Sequence, residues 1–545
     1  MPSWQELEKI HSEMRQERAL EERMWRELAR YLRPDQQNME VSSRTDRDWD
    51  VAFDSTPLYA NDDFVGGMFS NATNPATRWF ELVIDDEDLM KYGPVKEYLW
   101  GRASIHYSSL NAGISDFYLN VPPWFADMGA FGTGWMSQEE LLASTRIIER
   151  AIPINEMFKG VNAAGETNRV HREFMLTGRQ AEDQWKGRAP DMRPEERAKF
   201  IHAIYQNPEY VPGRLGRYGF PWLSTYVSPD KREFEINGGF YEIPYHEIQW
   251  ARRSGKAWAT GPGHDALPDM RSNDEMSRLT QVAMQFEAEP MLLVANEDVL
   301  VAEEIRPHGL VYGGMTKDGK RQVEVLKRGE NLQYPMTERE QLRNAIRNAF
   351  KFGLWQILKN RPQMTATEFL GFKEEDLKLL APHLMPLQKG LSGFVTRRDG
   401  ILSRQGAFQT LQVPQELVGH RIRIKFESPF EKAQRAETAR GTLQWWTSLA
   451  GLAQQTGDPS ILDVVNSDEA ALLLHESMVA DPSVRRSEAQ IEAIRQGRAA
   501  AQQQQADLAA GTQQASMVAD LAHAEQAQTL ASGRKPLALP APGGG

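Results

Sequence analysis

The 545-residue chain contains no cysteine. That excludes disulfides, cysteine-ligated zinc, iron–sulfur clusters and thiol nucleophiles, and it fits assembly in a reducing cytosol. No stretch approaches 18 consecutive apolar residues, so no transmembrane helix is expected. The opening MPSWQELEKIHSEMRQER is charged and lacks the apolar centre of a signal peptide. Positive charge is in deficit, with 63 Lys and Arg against 75 Asp and Glu, a net of -12. Such a chain repels phosphates over most of its surface, which leaves only a local basic stripe for nucleic acid.

Catalytic signatures are also missing. There is no GxxxxGK(S/T) phosphate loop, no GxSxG elbow and no HExxH pair. His246-Glu247 lacks its second histidine, and His106, His171, His202, His264, His308, His383, His420 and His475 are scattered. No metal site, no cofactor and no catalytic residue are expected. One stretch invites a nucleotide reading: TGPGHDALPDM, Thr260 to Met270, is a glycine turn feeding a helical pattern. It lacks the third glycine of a dinucleotide motif, and Pro262 removes an N–H that would serve an anion. A backbone joint is the better reading.

The remaining composition, 41% hydrophobic and 25% charged with 14 tryptophans, supports several folded domains. Leu7, Ile10, Met14, Leu20, Met24, Leu28 and Leu32 predict a helix over 4–32, ended by Pro34. Asp54 to Leu82 reads as a helix broken at Asn74-Pro75, followed by a strand. Ile84 to Met90 reads as a solvated acidic turn. Residues 141–255 look β-rich, with a helix inserted from Pro190 to Tyr205.

Ser272 to Glu275 forms a capping-box pattern. Met276, Leu279, Val282, Ala283 and Phe286 then mark a helical face, ended by Pro290. A hairpin is expected at Lys317-Asp318-Gly319-Lys320. A second helix starts near Thr337 and stops before Pro362, with Leu342, Ile346, Phe350 and Leu354 as its stripe. A helical run to about Leu402 follows, then a strand at Arg421 to Phe426. Helices at Glu431–Gln455, Ile461–Met478 and Ser487–Gln505 precede a glutamine-rich tail.

Helix, small β module, helix is the outline of a stalk with a β tip. On its second helix Arg339, Arg343, Arg347 and Lys351 recur every four residues, along one face. Two readings stand: pairing with acids on a neighbouring helix, or a basic rail toward a polyanion. DNA carries a charge every ~1.7 Å, so a rail repeated around a ring would be felt. Lys373, Lys378 and Lys389 lie among Glu374, Glu375 and Asp376, a mixture that suits a mobile loop or short helix.

The chain resembles the head-to-tail connecting, or portal, proteins of short-tailed (podovirus-type) bacteriophages. The resemblance is carried by WRELARYLRP, DSTPLYANDDFVGGMFSNATNPATRWFEL, GPGHDALPDMRSNDEM, RPQMTATEF, HLMPLQKGLSGFVTRRDGIL and VPQELVGHRIRIKFESPFEKAQRAE, in that order. It implies a multidomain α+β portal fold, mainly helical, in a dodecameric ring at one capsid vertex. The implied parts are a wing (1–265), a first stem helix (266–292), a clip (293–336) and a second stem helix (337–360). A tunnel loop with the return of the wing (361–428), a helical crown (429–505) and a flexible tail (506–545) follow.

The implied role is the channel for packaging and ejecting double-stranded DNA, held nonspecifically. The implied partners are other copies, the terminase motor, tail adaptor or nozzle proteins, and major capsid and scaffolding proteins, with no membrane. Assembly would occur in the host bacterial cytoplasm, and the product would reside in the virion. Arg343, Arg347, Lys351, Lys373, Lys378 and Lys389 are the expected DNA-channel residues. Tyr312, Lys317, Lys320 and Arg321 are the expected clip contacts. The competing readings are another phage structural or scaffold component, and an enzyme of the packaging machine.

Overall fold

The computed structural model describes residues 4–41, 52–111, 113–141, 146–232, 234–288, 292–294, 315–321, 323–325, 333–351, 366–426, 429–458, 460, 464–466, 470–471 and 488–531. The architecture is mixed α+β. Helix α1 (Trp4–Leu32) buries Leu7, Met14, Trp25, Leu28 and Leu32 at helical spacing. Leu20 and Met24, on its other side, stay exposed. Helices α2 (Thr56–Ala72) and α5 (Phe117–Phe131) pack on each other and on α1, and α4 (Gly93–Ser109) packs on the strand Phe80–Val83. Between α2 and α4, the acidic turn becomes a one-turn helix, α3 (Glu87–Lys91). Its cap is Asp86, whose carboxylate accepts the Asp88 and Leu89 N–H groups at 3.0 Å each.

Two antiparallel sheets form the β layer. One has the order β3-β2-β9, from β2 (Thr133–Glu140), β3 (Ile147–Ile152) and β9 (Tyr245–Gln249). The other runs β4-β5-β6-β7-β8, from β4 (Met157–Val161), β5 (Thr167–Thr177), β6 (Arg197–Gln206), β7 (Trp222–Val227) and β8 (Glu235–Phe240). A short helix, α6 (Gly178–Trp185), follows β5, opened by a capping box between Thr177 and Gln180. The strand expected in RIRIKF is present as β12 (Arg423–Phe426), and it pairs with the distant β1 (Phe80–Val83).

The helix expected from Pro190 to Tyr205 is corrected: that segment is a turn and then β6, paired with β5 from Arg197 to Tyr205. Its Phe200, Ile201, Ala203 and Ile204 are buried on both faces, so no polar face exists for a surface helix.

Helix α7 (Pro262–Ala288) and helix α8 (Gln333–Ala349) pack on each other, bracketing an antiparallel pair of β10 (Leu292–Val294) and β11 (Val323–Val325). The expected order of helix, small β pair and helix is therefore present. At 1.5 Å per residue the helices are about 40 and about 26 Å long. Three expectations change. Helix α7 begins at Pro262, ahead of the capping-box pattern at Ser272. It buries Ala266, Met270, Asn273, Asp274, Ser277 and Thr280, whereas Leu279 on the expected apolar face is 51% exposed. And α8 ends at Ala349, because Lys351 turns the chain with φ 57°, while residues 352–361 of the expected helix lie outside the described residues.

Residues 366–404 form one helix, α9 (Ala366–Arg404), which matches the expected helical run to about Leu402. The segment is rich in Leu, a strong helix former. Its second half is clamped in the core by Leu387, Leu391, Phe394 and Val395. Gly390 lets α9 approach β9 closely: a Cβ there would lie 2.2 Å from the Glu247 carbonyl oxygen. Helix α10 (Pro429–Thr456) fits its expectation, while most of Ile461–Met478 lies outside the described residues. Helix α11 (Glu488–Ala531) runs well past Gln505, so residues 506–531 of the expected flexible tail are helical. Their alanines, glutamines and leucines favour that state.

The main core joins both layers through Trp25, Phe64, Trp124, Trp135, Phe131 and Phe394. Arg398 of α9 and Glu149 of β3 form a buried ion pair within it, 1% and 0% exposed. Arg398 Nε also donates to Ser109 Oγ at 2.9 Å, and Ser115 Oγ to Glu149 at 2.9 Å. Burial raises the Glu149 pKa, with Arg398 opposing. Replacing Glu149 by alanine strands the Arg398 charge and is expected to cost about 3–5 kcal/mol, read as a lower urea midpoint. Glu149→Gln is expected to cost less.

Candidate functional site

The root of the stalk is built by glycine. Gly132 ends α5 in the left-handed region, φ 77°, and a Cβ there would lie 2.3 Å from the Thr260 carbonyl carbon. Across the same contact, a Cβ on Gly261 would lie 2.6 Å from the Met128 carbonyl oxygen. On Gly263 it would lie 2.7 Å from the Ala130 oxygen and 2.6 Å from Leu32 Cδ1. The carbonyl end of α5 thus abuts the N-terminus of α7, a favourable meeting of opposite helix-dipole ends. Pro262, at the start of α7, forfeits no intrahelical bond. The Gly261 N–H donates to His264 Nδ1 at 3.1 Å. TGPGH is therefore filled by protein backbone, which leaves no cradle for a phosphate.

Carboxylates then fix the two stalk helices. Asp54 accepts the Thr56 N–H at 2.8 Å, opening α2, and Arg343 Nε of α8 at 3.0 Å. Ser277 of α7 donates to the same carboxylate at 3.4 Å. Burial works to raise the Asp54 pKa, but bonds from Thr56 and Arg343 outweigh it and hold it at about 2. Asp274 of α7 pairs with Arg30 of α1 at 3.1 Å and accepts the Phe53 N–H at 2.5 Å. Arg271 of α7 pairs with Glu27 of α1, and that bond lowers the Glu27 pKa.

An aromatic chain leads onward: Phe64 packs edge-on against Trp250 (5.1 Å) and Phe350 (6.2 Å), and His383 of α9 stacks on Trp250 at 4.2 Å. None of these ties is legible from local pattern, since each joins residues far apart in sequence.

The expected DNA-channel residues do not form one rail. Arg343 is 27% exposed and bound to Asp54, so it serves as a tie within the subunit. Arg347 is partly exposed and reaches Glu340 at 3.2 Å and Asn344 at 3.0 Å. Lys351 lies beyond the end of α8, in the left-handed turn, and so leaves the four-residue register. Lys389 is exposed on α9 and pairs with Glu166 at 3.2 Å. Lys373 and Lys378 are on α9, but their side chains fall outside the described residues. Lys317, Lys320 and Arg321 are exposed on the expected hairpin, where Gly319 has φ 77° and Met315 bridges Arg321. Tyr312 lies outside the described residues. Among the described residues no cluster of three metal-ligating side chains occurs, and no helix is long and apolar enough to cross a membrane.

The family model of the bacteriophage head to tail connecting protein matches residues 4–485, and the chain belongs to that family. The portal protein of Salmonella phage epsilon15 is 25% identical over 512 residues, 90% of each chain. The probable portal protein of Bordetella phage BPP-1 is 23% identical over 506 residues, 88% of each. Among solved structures, the neck of a native GTA particle with C12 symmetry aligns with TM-score 0.34 and 13% identity, over 77% of this chain and 89% of that one. The neck of the empty particle with C6 symmetry aligns with TM-score 0.33 and 12% identity, over 76% and 89%.

Two measurements test the root. Gly263→Ala drives a Cβ into a backbone carbonyl that cannot swing away, and is expected to cost about 1–3 kcal/mol, read in the thermal midpoint. His264 accepts a bond only when neutral. Burial, then Arg253, lowers its pKa from 6.5 to about 4. Its stabilising contribution is thus complete above pH 6.5 and is lost as pH falls toward 4, a change of up to about 3 kcal/mol. The difference in urea midpoint between the wild type and H264N should shrink across that window.

Proposed function

We propose that the chain is a portal subunit. Twelve copies form a ring at one capsid vertex, through which viral double-stranded DNA enters during packaging and leaves during ejection. Family membership over residues 4–485 carries this reading. The names of the two phage relatives support it. In this reading the subunit has no catalytic activity of its own. It docks the terminase motor, then tail adaptor or nozzle proteins, at the clip, with Tyr312, Lys317, Lys320 and Arg321 on the contact surface. The capsid and scaffolding proteins meet the ring elsewhere, assembly takes place in the bacterial cytoplasm, and the finished ring stays in the virion.

A channel must let DNA slide. Sparse cations on an acidic subunit give weak, nonspecific and salt-dependent contact, which suits that task. Arg347, Lys351 and Lys389, with Lys373 and Lys378 on α9, are the proposed DNA-facing charges. Arg343 contributes to the stalk root instead, because its guanidinium is already bound by Asp54.

Charge reversal at Arg347 and Lys351 together is expected to reduce packaged or retained DNA while rings still form. Rings of normal mass with normal DNA content would remove both residues from the channel. Failure of the unaltered protein to form rings would remove the portal reading itself.

A further inference from the structure

The first half of α1 lies on one face of the five-stranded sheet. Arg169, His171 and Glu173 of β5 alternate onto that face, opposite Tyr205, Ala203 and Ile201 of β6, and Phe158 of β4 stands opposite His171. Leu7 of α1 joins Ile201, Ala203 and Tyr205 in one buried apolar cluster. One turn on, the contact becomes polar. His11 is 6% exposed and His171 0%. Their Nδ1 atoms lie 3.4 Å apart, and His11 Nε2 lies 3.0 Å from Glu173.

This geometry selects one arrangement of protons. The Glu173 carboxylate only accepts, so His11 Nε2–H donates to it. Neutral His11 then offers a bare Nδ1, to which His171 Nδ1–H donates. His171 Nε2 is left as a lone pair, buried with no partner among the described residues. Acid disrupts the chain of bonds at either ring. If His11 gains a proton, His171 must move its own to Nε2, a buried N–H with nothing to accept it. If both gain one, two cations meet nitrogen to nitrogen.

The neighbouring charges do not relieve this. Glu173 is already met by Arg15 of α1 and by Lys199 of β6 at 2.7 Å. Arg169 shares the face, with Glu13 of α1 acting on it, and His202 lies on the other face of β6. Arg18 of α1 lies over the Phe158 ring at 3.7 Å and has its own partner in Glu22. Burial, then His11, Arg169 and His202, lowers the His171 pKa well below 6.5. Burial works to raise the Glu173 pKa, but bonds from His11 and Lys199 outweigh it and hold it at about 2, so Glu173 stays ionised in mild acid.

The second half of α1 is tied elsewhere, to α7 through Glu27–Arg271 and Arg30–Asp274. Helix α1 is thus a strap from sheet to stalk root. Arg18, bound to the Asn155 and Met157 carbonyls at 2.7 and 3.0 Å, is the first anchor beyond the histidines. We propose that His11 and His171 form an acid-operated latch on this strap: protonation frees residues 4–15 from the sheet and leaves the rest of α1 on the stalk root.

Hydrogen exchange of the full chain, read by mass spectrometry and corrected for the intrinsic rate at each pH, tests the latch. A freed histidine binds a proton near pH 6.5 and the latched one does not, so opening becomes easier as pH falls. Amides of residues 7–15 should lose protection about tenfold for each pH unit below 6, while those of residues 25–32 keep theirs. His171→Asn should stay protected in acid, because an amide can turn donor or acceptor toward His11 and takes up no proton. His171→Gln replaces it should the Asn variant not fold. Protection at 7–15 that is flat with pH, loss in step with 25–32, or an equally steep loss in the variant overturns the proposal.

Discussion

The stalk depends on a backbone-to-backbone contact that only glycine permits. Where α5 ends and α7 begins, carbonyl oxygens of residues 128–130 occupy the space that a Cβ on Gly261 or Gly263 would need. Gly132 faces them from the other side, in a left-handed conformation. Two chain segments that are remote in sequence thereby meet with no side chain between them. The direction in which α7 leaves the body is set there, and α8, β10 and β11 follow from it.

Around that contact the inner surface of the stalk root is polar. Asp54, Asp274, Arg30 and Arg343 form ties in which each carboxylate serves more than one element. Ion pairs and hydrogen bonds are directional, so this arrangement fixes the angle of the helices as well as holding them. It also explains why apolar positions such as Leu279 and Met284 of α7 stay at the surface of a lone subunit. The inner face of α7 is already matched to carboxylates and arginines. Leu279 and Met284 on its outer face stay exposed.

Much of the fold was legible because periodicity reports burial. Helix α1, the break at Asn74, the hairpin at Gly319 and the strand at Arg423 follow from local pattern alone. The errors also have physical causes. β6 is buried on both faces, and a continuous apolar run with scattered charge imitates a helix. The capping box at Ser272 is a valid pattern placed inside a helix that a proline and a histidine had already started.

The site was less legible. The four-residue basic spacing holds only within α8, and there Arg343 finds its partner at Asp54, 289 positions away. Lys351 drops out because the helix ends before it. TGPGH drew attention for its glycines, and these matter for close approach rather than for phosphate. The resemblance to portal proteins rested on the order of many segments, which tolerates errors in any one of them.

The most direct test is a side-chain-resolution electron cryomicroscopy map of the assembled chain. The account expects closed rings with a central channel. In every subunit α7 should leave the body at Gly261 in contact with the residue 128–132 turn, with Asp54 bridging α2 and Arg343. Monomers or open filaments at all concentrations would contradict it. So would a ring in which α7 departs with that glycine contact broken.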